Sequence, residues 1–179
     1  FYNIMSDQVP DLKEKAFLSN DIYDYWWVSQ GKVTVPSIDD KEDMMLADEA
    51  YDILGFTEEE KYNIYKLPAV VMHMGNLTKD FVPVGKEEQA EIRDDKNAHK
   101  VADICGIDCE WMLTYFCKPK LKVGTEWVSK GQSCDGAASS VAGIGRKIYE
   151  LTFRFIVDKC NDTLIDPTMK KVHYIGCLD

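Results

Sequence analysis

The chain of 179 residues carries 31 acidic and 21 basic side chains, a formal net charge of −10, with 45% hydrophobic and 11% aromatic residues. That length suits one domain of roughly 100–200 residues, and the apolar content is too high for intrinsic disorder. The acidic balance disfavours broad binding to nucleic acid or anionic membranes, and no run approaches the ~18 apolar residues of a membrane-spanning helix.

The chain opens at Phe1 with no charged n-region and no signal-like apolar core, and is expected to be a segment of something longer. Residues 1–18 predict the end of a helix, a turn at Pro10 and a short second helix. Residues 22–36 hold Tyr23, Tyr25, Trp26 and Trp27, then Gly31-Lys32-Val33-Thr34-Val35-Pro36, a loop pinned by aromatics with at most a short strand. Asp39 followed by Glu42 has the form of a capping box. Met44, Ala47, Tyr51 and Leu54 then recur at helical spacing up to Gly55, a C-terminal cap. Thr57 with Glu60 repeats the box and predicts a second helix towards Met74, ending at Gly75. Pro68 inside it removes an amide donor and crowds the carbonyl of Ile64, which predicts a kink or a break into two helices.

Residues 76–94 lack either periodicity and read as a long surface loop. A helix is predicted over 95–105, stopped at Gly106. Another starts at Asp108, buries Cys109, Met112, Leu113 and Phe116, and ends before Pro119. Residues 121–128 read as a hairpin around Gly124-Thr125. From about Asp135 a long helix runs to about Thr163, with Val141, Ile144, Ile148, Leu151, Phe155 and Ile156 as its buried stripe. Asp166-Pro167 marks a turn, and the apolar run 172–178 reads as a buried strand. The fold class is therefore mostly α, with a β-hairpin and a C-terminal buried strand.

The six cysteines form no Cys-x-x-Cys pair, and His73, His99 and His173 form no ligand pair, so reduced thiols acting as small hydrophobes are the simplest reading. The two sequons, at Asn76 and Asn161, matter only in a secreted protein. Charge is unevenly spread. Residues 39–60 hold ten acids and one lysine, whereas 118–130 hold four lysines and one glutamate. A basic hairpin on an acidic protein is either an ordinary solvated loop or a docking element for an acidic partner, and Trp127 beside the lysines favours recognition. The strand ending Tyr174-Ile175-Gly176-Cys177-Leu178-Asp179 has the outline of a phosphate-site strand, whose terminal Asp sits near Mg²⁺. Its companion G-x-x-x-x-G-K-[ST] is absent, and Gly143-Ile144-Gly145-Arg146-Lys147 has the wrong spacing and reads as a close-packing spot.

Several stretches in order resemble the motor domain of class II, muscle-type myosin heavy chain. They are Asp24-Tyr25-Trp26, Val28-Ser29-Gln30-Gly31, Ile38-Asp39-Asp40 and Tyr51-Asp52-Ile53-Leu54-Gly55-Phe56-Thr57 with Glu60-Lys61. His73-Met74-Gly75-Asn76, Lys86-Glu87-Glu88-Gln89-Ala90-Glu91, the run from Lys122 to Gln132 and the terminal Tyr174 to Asp179 continue the series.

The resemblance implies a piece of an α/β P-loop NTPase. Residues 1–179 would be a partial motor domain, the upper 50-kDa subdomain, following the phosphate loop and first switch and ending at the start of the second switch. It implies that Lys118, Lys120, Lys122, Glu126, Trp127 and Lys130 belong to the actin-touching hairpin called the cardiomyopathy loop. Lys86, Glu87, Glu88 and Glu91 would belong to the neighbouring loop 4, also facing actin. Asp179 would open the second switch and stand near Mg²⁺ through a water, with no direct metal ligand in this segment.

The implied whole is an ATP hydrolase and actin-based motor using ATP and Mg²⁺. Its light chains and its heavy-chain dimer, a coiled coil in a thick filament, would attach outside this segment. Cytoplasmic, cytoskeletal or myofibrillar placement is implied, with no nucleic-acid or membrane partner. The segment alone is expected to be inactive and to bind neither ATP nor Mg²⁺. An alternative is a non-catalytic actin-binding or scaffold module derived from such a head. The sequence departs from the family pattern over Thr78–Gly85 and Ser133–Ser139 and at Pro68. Gly143 and Gly145 also stand where alanines are usual, each costing about 0.5–1 kcal/mol of helix stability.

Overall fold

The computed structural model describes residues 1–165, 168, 175 and 176. The expected turn at Asp166-Pro167, Asp179, and the strand expected over 172–178 apart from Ile175 and Gly176 lie outside these residues. Six α-helices and two hairpins make up the rest: α1 Leu12–Lys15, α2 Asp40–Ile53, α3 Glu58–Leu77, β1 Phe81–Val84, β2 Gln89–Ile92, α4 Lys96–Cys105, α5 Cys109–Cys117, β3 Lys120–Val123, β4 Glu126–Ser129 and α6 Cys134–Leu164. Short 3₁₀ turns cover Asn3–Met5, Ile22–Asp24 and Trp26–Val28, with no strand over 22–36.

Local chemistry sets most boundaries. The Asp39 side chain accepts from the amides of Lys41 and Glu42 and starts α2. Thr57 and Glu60 cap α3 reciprocally, each side chain bonded to the other's backbone amide. Gly55 and Gly106 end α2 and α4 with φ of +74° and +66°, a conformation that a Cβ would strain. Asp108 caps α5, and Ser133 caps α6.

α3 is the central element. It packs against both α4 and α6 and belongs to two apolar cores. One core gathers Val70, Met74, Leu77, Phe81, Val101, Phe116 and Val141, and the other Ile4, Leu12, Tyr25, Met44, Phe56, Ile64 and Met72. Of the kink or break expected at Pro68, the break does not occur, and α3 does not stop at Gly75 as expected; it continues as one helix of 20 residues. An interior proline costs about 3 kcal/mol. The wholly buried Ala69, Val70, Met72 and His73 just beyond it hold the helix together against that cost. Pro68 borders an apolar cavity of about 280 Å³ between α2, α3 and α6.

Gly75 serves close packing rather than capping. Trp27 lies on it, and the same indole reaches Gly145 of α6, where an added Cβ would meet Cζ3 at 3.1 Å. Gly145 is thus the close-packing spot expected of the Gly143–Lys147 run, whereas a Cβ on Gly143 would meet nothing within 4 Å.

Three groups of polar contacts tie these elements together. The Lys61 ammonium, with its side chain 4% exposed, meets Asp52 at 2.6 Å, Glu58 at 3.0 Å and Asp48 at 3.3 Å, and Tyr65 donates to Asp48 at 2.6 Å. Burial works to lower the lysine's pKa, but the hydrogen bonds it donates to Asp52, Glu58 and Asp48 together raise it. Buried His73 donates from Nε2 to the Ala16 carbonyl at 2.8 Å, while its Nδ1 has no partner. Burial lowers its pKa to about 4, with the Lys100 charge adding to the effect against the Ala16 bond. At the far end of α6, Lys159 pairs with Glu60 at 2.9 Å and Thr163 donates to the Leu54 carbonyl at 2.8 Å.

The stripe expected on α6 is only partly covered. Val141 is fully buried and Ile148 and Ile156 are half-buried, but Ile144, Leu151 and Phe155 are exposed. Periodicity marks an apolar face; it does not say whether this segment supplies the cover.

Candidate docking face

Residues 81–92, expected to be loop, form an antiparallel hairpin with Phe81 opposite Ile92 and Val84 opposite Gln89. Its turn places Gly85 and Glu88 at φ +75° and +50°. Lys86, Glu87 and Glu88 stand exposed at the tip and Glu91 on the outer side of β2. Alternation was hidden because Pro83 and the charged tip interrupt it, with only Phe81 and Ala90 fully turned inward. The run Phe81-Val82-x-Val84-Gly85 is the signal that carries it.

The second hairpin follows expectation, with Lys122 opposite Trp127, Lys120 opposite Ser129 and Gly124 at φ +63° in the turn. Every residue from Lys120 to Lys130 is exposed, and so is Lys118. Side chains alternate across a strand and opposed residues share a face, so Lys120, Lys122 and Trp127 stand together. Leu121, Val123 and Val128 occupy the other face. Trp127 is 66% exposed.

Gln132 joins the two hairpins. Its carbonyl accepts from the Ala90 amide at 2.8 Å, its amide donates to the Cys117 carbonyl at 3.1 Å, and its side chain donates to the Phe116 carbonyl and to Ser140 Oγ. Gln89 and Ser133 add an antiparallel bridge. The tip half of the first hairpin is therefore held against the base of the second. Lys86, Glu87, Glu88 and Glu91 are brought beside the element bearing Lys118, Lys120, Lys122, Glu126, Trp127 and Lys130.

Sequence reasoning missed Trp111 and Tyr115. They lie one helical turn apart on α5, their rings meet at 4.7 Å with a 50° tilt, and Lys120 Nζ lies 5.5 Å from the centre of the Tyr115 ring. The i, i+4 spacing of the two aromatics was the available clue.

Among the described residues no group of three or more His, Cys, Asp or Glu side chains could hold a metal ion, and no helix is long and apolar enough to cross a membrane. Burial pushes the Cys117 and Cys109 thiols up, consistent with thiols that pack rather than react.

The helical scaffold thus presents two joined hairpins on one side. The family model described as Myosin head (motor domain) matches residues 1–179. The chain is 41% identical over 179 residues to Myosin-3 of Caenorhabditis elegans and 40% identical to Myosin-3 of Caenorhabditis briggsae. In both cases all of this chain is covered but only 9% of the relative. The chain belongs to the myosin head (motor domain) family.

Proposed function

We propose that this chain is the upper 50-kDa part of a class II myosin head and serves an ATP-driven, actin-based motor by presenting actin-contacting hairpins. The family match over the whole chain supports the motor, and the exposed lysine hairpin on an acidic body is the observation that carries the docking role. Lys118, Lys120, Lys122, Trp127 and Lys130 attract and seat the acidic filament. Lys86, Glu87, Glu88 and Glu91 line the second contact, loop 4. ATP is the substrate of the complete head, with Mg²⁺ at a site to which Asp179 contributes through water. Light chains, the coiled-coil dimer, the thick filament and a cytoskeletal location belong to the same proposal.

Phosphoryl transfer needs a phosphate cradle, a held Mg²⁺ and an oriented water. The 179-residue chain alone offers at most the carboxylate of Asp179 and hydrolyses nothing. The test is actin-activated ATP turnover and filament gliding by the complete head. Absence of both overturns the motor reading, turnover by the chain alone overturns its assigned inactivity, and full turnover after Asp179→Ala in the complete head removes that residue from the site.

A further inference from the structure

Trp111 is 57% exposed, on a helix whose inner side is occupied by Met112 and Phe116. Large aromatics left in water beside a charged edge mark recognition more often than chance. Its position is fixed from below: the Asp108 carboxylate accepts from the Trp111 amide at 2.6 Å and starts the helix there. Its ring packs tilted against Tyr115, and Lys120 lies over Tyr115. Because Lys120, Lys122 and Trp127 share one face of the second hairpin, that face continues onto α5 without a gap in chemistry. The order along it is Trp127, Lys122, Lys120, Tyr115, Trp111.

We infer that Trp111 and Tyr115 extend the docking face from the hairpin onto α5, so that the surface takes an acidic protein bearing a protruding apolar side chain. The inference rests on the actin reading above and deepens it. The lysines complement carboxylates and act at long range, so their part weakens as salt screens them. The indole works by excluding water on contact, a term that salt does not screen. Tyr115 touches both groups, the indole ring 4.7 Å away and the ammonium 5.5 Å away. Nucleic acid fits worse, because the body carries a net charge of −10.

The complete head provides the test, through co-sedimentation with actin filaments without nucleotide. Trp111→Ala is expected to weaken binding about ten-fold at both low and high salt. Lys120→Glu is expected to weaken it chiefly at low salt. Loss with Lys120→Glu but none with Trp111→Ala overturns the extension and leaves the actin reading standing. No loss with either overturns both. A measurement free of mutation is hydroxyl-radical footprinting of the unmodified head, in which filaments should protect Trp111 and Trp127 and leave Trp26 reactive. A reactive Trp111 in the bound head overturns the inference. So does equal protection by polyglutamate or single-stranded DNA, which offer anions without an apolar side chain.

Discussion

Trp27 is wedged against Gly75 so closely that a Cβ on the glycine would lie 2.7 Å from the indole Cγ and 3.0 Å from the tryptophan's own Cβ. The atoms in the way are the inflexible root of the side chain rather than its movable end. Gly75→Ala should therefore destabilise the fold by about 1–3 kcal/mol, although alanine is the better helix former. Gly143→Ala, with free space around it, should stabilise by about 0.5–1 kcal/mol. Urea unfolding followed by circular dichroism separates the two, and equal shifts in one direction would show that propensity alone governs both sites.

The Lys61 cluster predicts an asymmetry. Removing the cation by Lys61→Met leaves carboxylates whose side chains are already 40–89% exposed and can turn to water. Removing Asp48 and Asp52 together leaves the buried ammonium with the exposed Glu58 alone. The double Asp→Ala variant should cost about 2–3 kcal/mol and Lys61→Met clearly less, because an under-compensated buried charge is the expensive product. Chemical denaturation of the three proteins decides, and the reverse order would count against the network.

His73 supplies a pH dependence. Its pKa is lowered in the fold to about 4 from 6.5, so between those values the unfolded chain takes up the proton first. Stability is then complete above about pH 6.5 and declines as pH falls towards 4, by at most about 3 kcal/mol. His73→Gln should flatten the curve in that window. It should leave the lower acid limb, where the lowered carboxyl of Glu60, bonded to Lys159, is protonated. Unfolding midpoints measured across the range test this.

Lys120→Glu in the complete head should weaken nucleotide-free actin binding more at low than at high ionic strength. An exposed pair is worth only about 0.2–1 kcal/mol, so the change should be a few-fold. Affinity unchanged at both ionic strengths would remove the hairpin from the interface.

What could be read in advance follows the range of the forces. Caps at Asp39, Thr57, Asp108 and the Gly124 turn are decided by neighbours within a few residues, and each is where the residues predict it. The Gly75 assignment failed because one residue type serves two ends: freedom of φ and absence of a Cβ. Only the arrival of Trp27, 48 positions earlier in the chain, decides between them. The first hairpin was hidden by Pro83 and a charged tip. The lysines were legible as a docking element from charge alone, whereas Trp111 and Tyr115 join them only through the packing of α5 against the hairpin base.

α6 is pinned at both ends and packs along α3 between them. Its start is fixed beside Gln132 and the hairpins, and its finish by Lys159 on Glu60 and Thr163 on Leu54. With 31 residues at 1.5 Å each it spans about 46 Å. Such a rod converts angle into distance. A tilt of about 5° at its far end carries the hairpin end through roughly 4 Å, more than the reach of a hydrogen bond.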